Sequence, residues 1–107
     1  MSAKHSDFYF AKFILSDGTI RKSPVFVISN DNDKHDIIIC KCTGQPPKSE
    51  YDINIQLRRN TCVRANKIYT IGRDQLLFKI QADLNLERYN KIMSKIAKAL
   101  NIPIKKE

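Results

Sequence analysis

Long apolar stretches are missing from this sequence: runs such as residues 25–28 and 37–40 stop at four residues. A membrane-spanning helix needs about 20, so no span is expected. The first seven residues are polar and lack the apolar stretch of a secretory signal, which leaves a cytoplasmic protein as the expectation. Cysteine is scarce and odd in number. Cys40, Cys42 and Cys62 argue against a disulfide framework and fit thiols kept reduced in the cytosol. Cys40 and Cys42 would share one face of a strand, but zinc would need two further ligands, and the histidines number only two, His5 and His35. Buried strand cysteines are the favoured reading, with no metal and no cofactor expected. Three glycines and four prolines exclude a low-complexity chain, and 42% hydrophobic residues exclude disorder.

Positive charge is what the sequence has in excess. Nineteen Lys and Arg against eleven Asp and Glu leave +8 on 107 residues, enough for one domain and one core. Such a field attracts polyanions, although charge alone serves solubility equally well.

The periodicity changes once along the chain. Residues 8–15 read as an aromatic-rich strand, followed by the Asp17-Gly18 pair of a tight hairpin turn. Residues 24–29 return, with Pro24 at the start where no ladder donor is lost. Residues 36–43 form a short β-branched strand, and 51–57 alternate as a half-exposed one. Residues 61–63 and 67–71 are two further extended pieces, and 76–80 are either a strand or a helical turn. From Leu86 apolar residues recur with helical spacing to Leu100, with Asn85 as N-cap and Pro103 beyond the end. The predicted architecture is mainly β: a small closed barrel of five or more short antiparallel strands (about 8–83), with an amphipathic C-terminal helix (about 86–101), in a single domain spanning 1–107.

The segment Pro24-Val-Phe-Val-Ile-Ser-Asn-Asp31, then Cys42-Thr-Gly-Gln45, then Val63-Arg64 and Ile68-Tyr-Thr-Ile71, then the final helix, resembles the PemK/MazF family in order and spacing. The resemblance covers nearly the whole chain. It implies an SH3-like barrel, usually a homodimer, acting as the toxin of a type II toxin–antitoxin pair. The implied activity is metal-independent endoribonuclease cleavage of single-stranded RNA, with a cognate antitoxin peptide occupying the RNA groove. It also implies catalytic roles for Thr43 and Arg64. Two positions depart from the pattern. Ser23 stands where the family commonly has Arg directly before the proline, with Arg21 and Lys22 close by, and Asn66 stands where the PemK-like branch has an acidic residue.

Cleavage without metal uses the neighbouring 2′-hydroxyl as nucleophile, and the site must handle protons and stabilise charge on phosphorus. His5, in an expected flexible tail, and His35, in a polar loop, fall on no motif strand. Arg64 is suited to charge stabilisation by its two-pronged guanidinium rather than to proton donation. Thr43 would donate a hydroxyl to a phosphate oxygen, or else satisfy local backbone. Arg21, Lys22, Gln45, Arg58, Arg59, Asn66 and Tyr69 are the candidate RNA-binding residues, with Tyr51 a second stacking surface. Each of these has a plain alternative as solvated charge or core. Two other functions stay open: a catalytically weakened RNA- or antitoxin-binding module of the same fold, and an interaction protein with no nucleic-acid role.

Overall fold

The computed structural model describes residues 3–30 and 33–103. Six strands form one antiparallel sheet: β1 (Phe8–Ile14), β2 (Ile20–Val27), β3 (Asp36–Thr43), β4 (Asp52–Gln56), β5 (Asn60–Gly72) and β6 (Leu76–Ile80). A single 3₁₀ turn, Arg73–Gln75, separates β5 from β6, and helix α1 (Leu86–Ala99) follows. The strand order is β4-β5-β3-β2-β1-β6.

The β1–β2 hairpin closes as the Asp-Gly pair requires. Leu15 N–H donates to Thr19 O at 2.8 Å, and Gly18 takes φ +85°, a left-handed value that a side chain would strain. The Asp17 carboxylate accepts from Thr19 N–H at 2.9 Å, and the Thr19 side chain first, then this backbone bond, holds its pKa below the ordinary value. Asn85 caps α1, its side chain accepting from Arg88 N–H at 2.8 Å.

The curled sheet carries apolar residues on both faces. On one face Phe8, Phe26, Cys40, Cys42, Ile53, Ile55, Val63 and Ala65 enclose Ile92 and Ile96 of α1. On the other lie Tyr9, Ala11, Val25, Val27, Ile37, Ile39, Ile71 and Leu76. The predicted mainly β class with a C-terminal helix is found, but barrel closure is not. Among the described residues β4 and β6 do not pair, and a cleft of about 700 Å³ is lined by β4, β5 and residues 82–85.

Two further expectations are corrected. The extended pieces at 61–63 and 67–71 belong to one strand of 13 residues, β5. Its middle bulges: Cys40 pairs with Ile68 and Cys42 with Val63, so Lys41 alone faces residues 64–67. His5 is held rather than free. Its Nδ1 lies at 2.5 Å from Ile28 O and its Nε2 at 2.6 Å from the Tyr89 hydroxyl. With Nδ1–H donating to the carbonyl, Nε2 is left to accept the Tyr89 proton. The ring straps the N-terminal segment to α1, far from any acid–base role.

Candidate functional site

Strand alternation sorts the chemistry-bearing residues. In β3, Cys40 and Cys42 face the helix, so Lys41 and Thr43 face the other way with Ile39. In β5, Val63 and Ala65 face the helix, so Cys62 and Arg64 share the face of Thr43. Thr43 pairs with Cys62, and Cys62 with Asn54. A row of short polar side chains therefore crosses three strands, and the Cys62 thiol donates to Asn54 Oδ1 at 3.1 Å.

The same row extends toward β2. Val25 pairs with Lys41, and continuing that register by two residues sets Ser23 opposite Thr43. Ser23 also pairs with Ala11, on the face of Val25 and Val27. The Ser23 Oγ is shielded from solvent and has no hydrogen-bond partner. Thr43 Oγ1 accepts from Gln45 N–H at 3.1 Å, which leaves its own hydroxyl proton to donate elsewhere.

Arg64 lies two residues along β5 from that row, opposite Asp52 of β4. Its Nε sits 3.5 Å from Asp52 Oδ1, an ion-pair distance but outside hydrogen-bond geometry. The Asp52 side chain is 1% exposed, and its Oδ2 accepts from Lys48 N–H at 2.8 Å. Arg64 is 34% exposed, so one side of its guanidinium faces outward while Asp52 holds the other. Burial raises the pKa of the Cys62 thiol, and the nearby Asp52 charge raises it further. That thiol is therefore a donor, not a nucleophile.

The candidates divide into two groups. Thr43, Arg64 and Tyr69 share one sheet face, Tyr69 by pairing with Ile39. Gln45, Arg58 and Arg59 line the clefts beyond the end of β3: Gln45 the larger, the two arginines an adjoining one of about 640 Å³ that also takes in Pro24, Phe10, Phe78 and Lys79. Gly44 borders both, so the groups meet just after Thr43. Asn66 is exposed in the β5 bulge. Arg21 and Lys22 are exposed on β2, opposite Phe13 and Lys12, and border neither cleft. Tyr51 packs against the helix-side core and is not a free stacking surface.

Sequence reasoning missed Asp52, Asn54 and Lys41. The first two sit at polar positions of the alternating 51–57 segment, where a solvated strand face was the ordinary reading. The Lys41 ammonium lies 5.1 Å from the centre of the Phe13 ring and 5.9 Å from that of Tyr69. Only the fold brings those three strands together. Among the described residues no three His, Cys, Asp or Glu converge on a common point, and no helix is long and apolar enough to cross a membrane.

Neither a known family model nor a curated protein matches the sequence. Solved structures do match its fold. An endoribonuclease in complex with its cognate antitoxin, from a mycobacterial species, superposes with a TM-score of 0.78 at 18% identity, over 97% of this chain and 100% of that one. A chain of a MazE–MazF crystal structure from Deinococcus radiodurans gives 0.80 at 13% identity, over 96% of this chain and 100% of that one. The Mycobacterium tuberculosis toxin MazF-mt6 gives 0.74 at 13%, over 92% and 99%. The fold of this chain is the MazF-like fold.

Proposed function

We propose that this chain is an endoribonuclease toxin of a toxin–antitoxin pair, cutting single-stranded RNA without a metal ion. The observation that carries the reading is that Thr43 and Arg64 share one sheet face, with Gly44, just after Thr43, bordering the cleft edged by Arg58 and Arg59, in a fold shared with endoribonucleases. The reaction needs little covalent help from the protein. The RNA 2′-hydroxyl loses its proton and attacks the adjacent phosphorus, the bond to the 5′-oxygen breaks, and that oxygen takes a proton. The products are a 2′,3′-cyclic phosphate and a 5′-hydroxyl.

Thr43 is suited to donate its hydroxyl proton to a nonbridging phosphate oxygen. The outward side of Arg64 is suited to stabilise the charge that gathers on phosphorus, with Asp52 fixing the guanidinium's orientation. Arg58, Arg59 and Gln45 would position flanking RNA, and Tyr69 offers an exposed ring for a splayed base. Arg21, Lys22 and Asn66 are left as outlying phosphate or base contacts. The apolar floor and basic rim of the smaller cleft suit an acidic antitoxin segment with apolar anchors. A homodimer and a cytoplasmic location complete the proposal.

The test is incubation with long single-stranded RNA in EDTA. Discrete fragments ending in cyclic phosphate, strongly reduced by Arg64→Ala, are expected. Intact RNA at high protein concentration contradicts it.

One observation favours the second reading, an RNA- or antitoxin-binding module with weakened catalysis. Ser23 brings no charge to the row opposite Thr43, and Arg64 is already partly neutralised by Asp52. That reading expects salt-sensitive RNA binding with no cleavage.

A further inference from the structure

Among the cations on or beside the sheet face that carries Thr43, three are held in different ways. Arg64 is paired with the buried Asp52 carboxylate. Arg21 is exposed near the hairpin end of β2. Lys41 is half-buried in the middle of β3, two residues from Thr43, and so projects from the same face. Among the described residues no carboxylate lies within ion-pair distance of it; its ammonium is held against the Phe13 and Tyr69 rings instead.

That arrangement is specific to small neighbours. Ser23 on β2 lies on the diagonal between Lys41 and Phe13 and pairs with Ala11 on β1, and both are small residues. A ring face attracts a cation through its quadrupole and takes up no N–H donor. The ammonium is thus oriented and partly desolvated while its donors stay available to an incoming anion. The β5 bulge interrupts the regular pairing opposite Lys41.

We infer that Lys41, set between Phe13 and Tyr69, binds the RNA phosphate that Thr43 contacts, supplying the charge that Ser23 does not. The inference rests on the ribonuclease reading above and adds a phosphate-binding residue to it. It also explains why a serine is tolerated opposite Thr43: the neighbouring strand reaches across it.

The test compares wild-type protein with Lys41→Met, Lys41→Gln, Lys41→Arg and Lys91→Met, the last removing one charge from the exposed side of α1. Single-turnover cleavage of a short RNA is measured alongside binding of its 2′-O-methyl analogue across a salt series, with thermal melting as the fold control. The two neutral variants are expected to melt as wild type and to lose roughly 100-fold or more in cleavage rate, on the scale of removing one charge-stabilising donor. The slope of log affinity against log salt should drop by about 0.7, one single-strand phosphate contact. Lys41→Arg should keep most of the rate, and Lys91→Met should match wild type. If wild type cuts and the folded neutral variants stay within threefold of it, Lys41 has no such role although the ribonuclease reading stands. Equal losses in Lys41→Met and Lys91→Met reduce the effect to net charge and overturn the inference. Wild-type protein that neither cuts nor binds RNA overturns both.

Discussion

Ser23 and Arg73 show opposite ways in which a polar side chain can sit in this fold. The Ser23 hydroxyl is shielded and unpartnered, so it contributes desolvation cost without a compensating bond. Ser23→Ala is expected to be neutral or stabilising by up to about 1 kcal/mol in chemical denaturation; a loss of more than 1 kcal/mol would mean the hydroxyl has a partner in solution. Arg73 does the reverse. Its guanidinium donates to the carbonyls of Asp33, Ala3 and Asn30, tying the N-terminal segment and the β2–β3 loop to the end of β5. Arg73→Met should cost about 2 kcal/mol, since three carbonyls lose a charged donor at a partly exposed site. An unchanged denaturation midpoint would contradict that. Neither role was legible in the sequence, where Arg73 was one basic residue among nineteen and the serine stood out only as a missing arginine.

Among the elements, β3 was the most readable and β5 the least. The Ile-Ile-Ile-Cys run of β3 is β-branched, short and bounded by polar loops, so its burial followed from composition. In β5 the sequence Arg64-Ala-Asn-Lys67 interrupts the apolar pattern, and a bulge leaves no periodic trace, so one strand looked like two. The helix announced itself through its apolar spacing and Asn85, and its observed start at Leu86 follows the cap. Whether residues 76–80 were strand or turn was settled only by pairing with β1, a long-range contact. The cysteines of β3 carry a pH signature. Burial pushes the Cys40 thiol up to about 12 and the Cys42 thiol well above its ordinary value. Below the ordinary thiol range both folded and unfolded chains hold these protons, and stability is unaffected. As pH rises beyond it the unfolded chain releases protons that the fold retains, so stability falls toward about 12. Melting temperature should decline between pH 8 and 10.5, less steeply in Cys40→Val, and thiol reagents should react at pH 8 only after denaturation. Rapid labelling of the native protein would contradict the burial.

For the whole molecule, charge and fold had to be combined before either meant anything. A formal +8 fits solubility as well as RNA, and a MazF-like sheet at 11–18% identity fixes a shape rather than an activity. The ordered motifs drew attention to Thr43 and Arg64, and both sit at strand positions whose neighbours are recognisably apolar. They did not reveal Asp52 beneath Arg64 or the aromatic-flanked Lys41, which depend on β4 and β1 returning beside β5 and β2. The closed barrel inferred from strand count gave way to an open sheet, and the gap supplies the clefts edged by Gln45, Arg58 and Arg59. The most direct measurement is end-group analysis of long single-stranded RNA incubated with the protein in excess EDTA. The account expects discrete cuts bearing 2′,3′-cyclic phosphate and 5′-hydroxyl ends, reduced at least 100-fold by Arg64→Ala, as expected for loss of a preorganised charge at the phosphate. RNA that remains intact, or cuts that Arg64→Ala leaves unchanged, would contradict it.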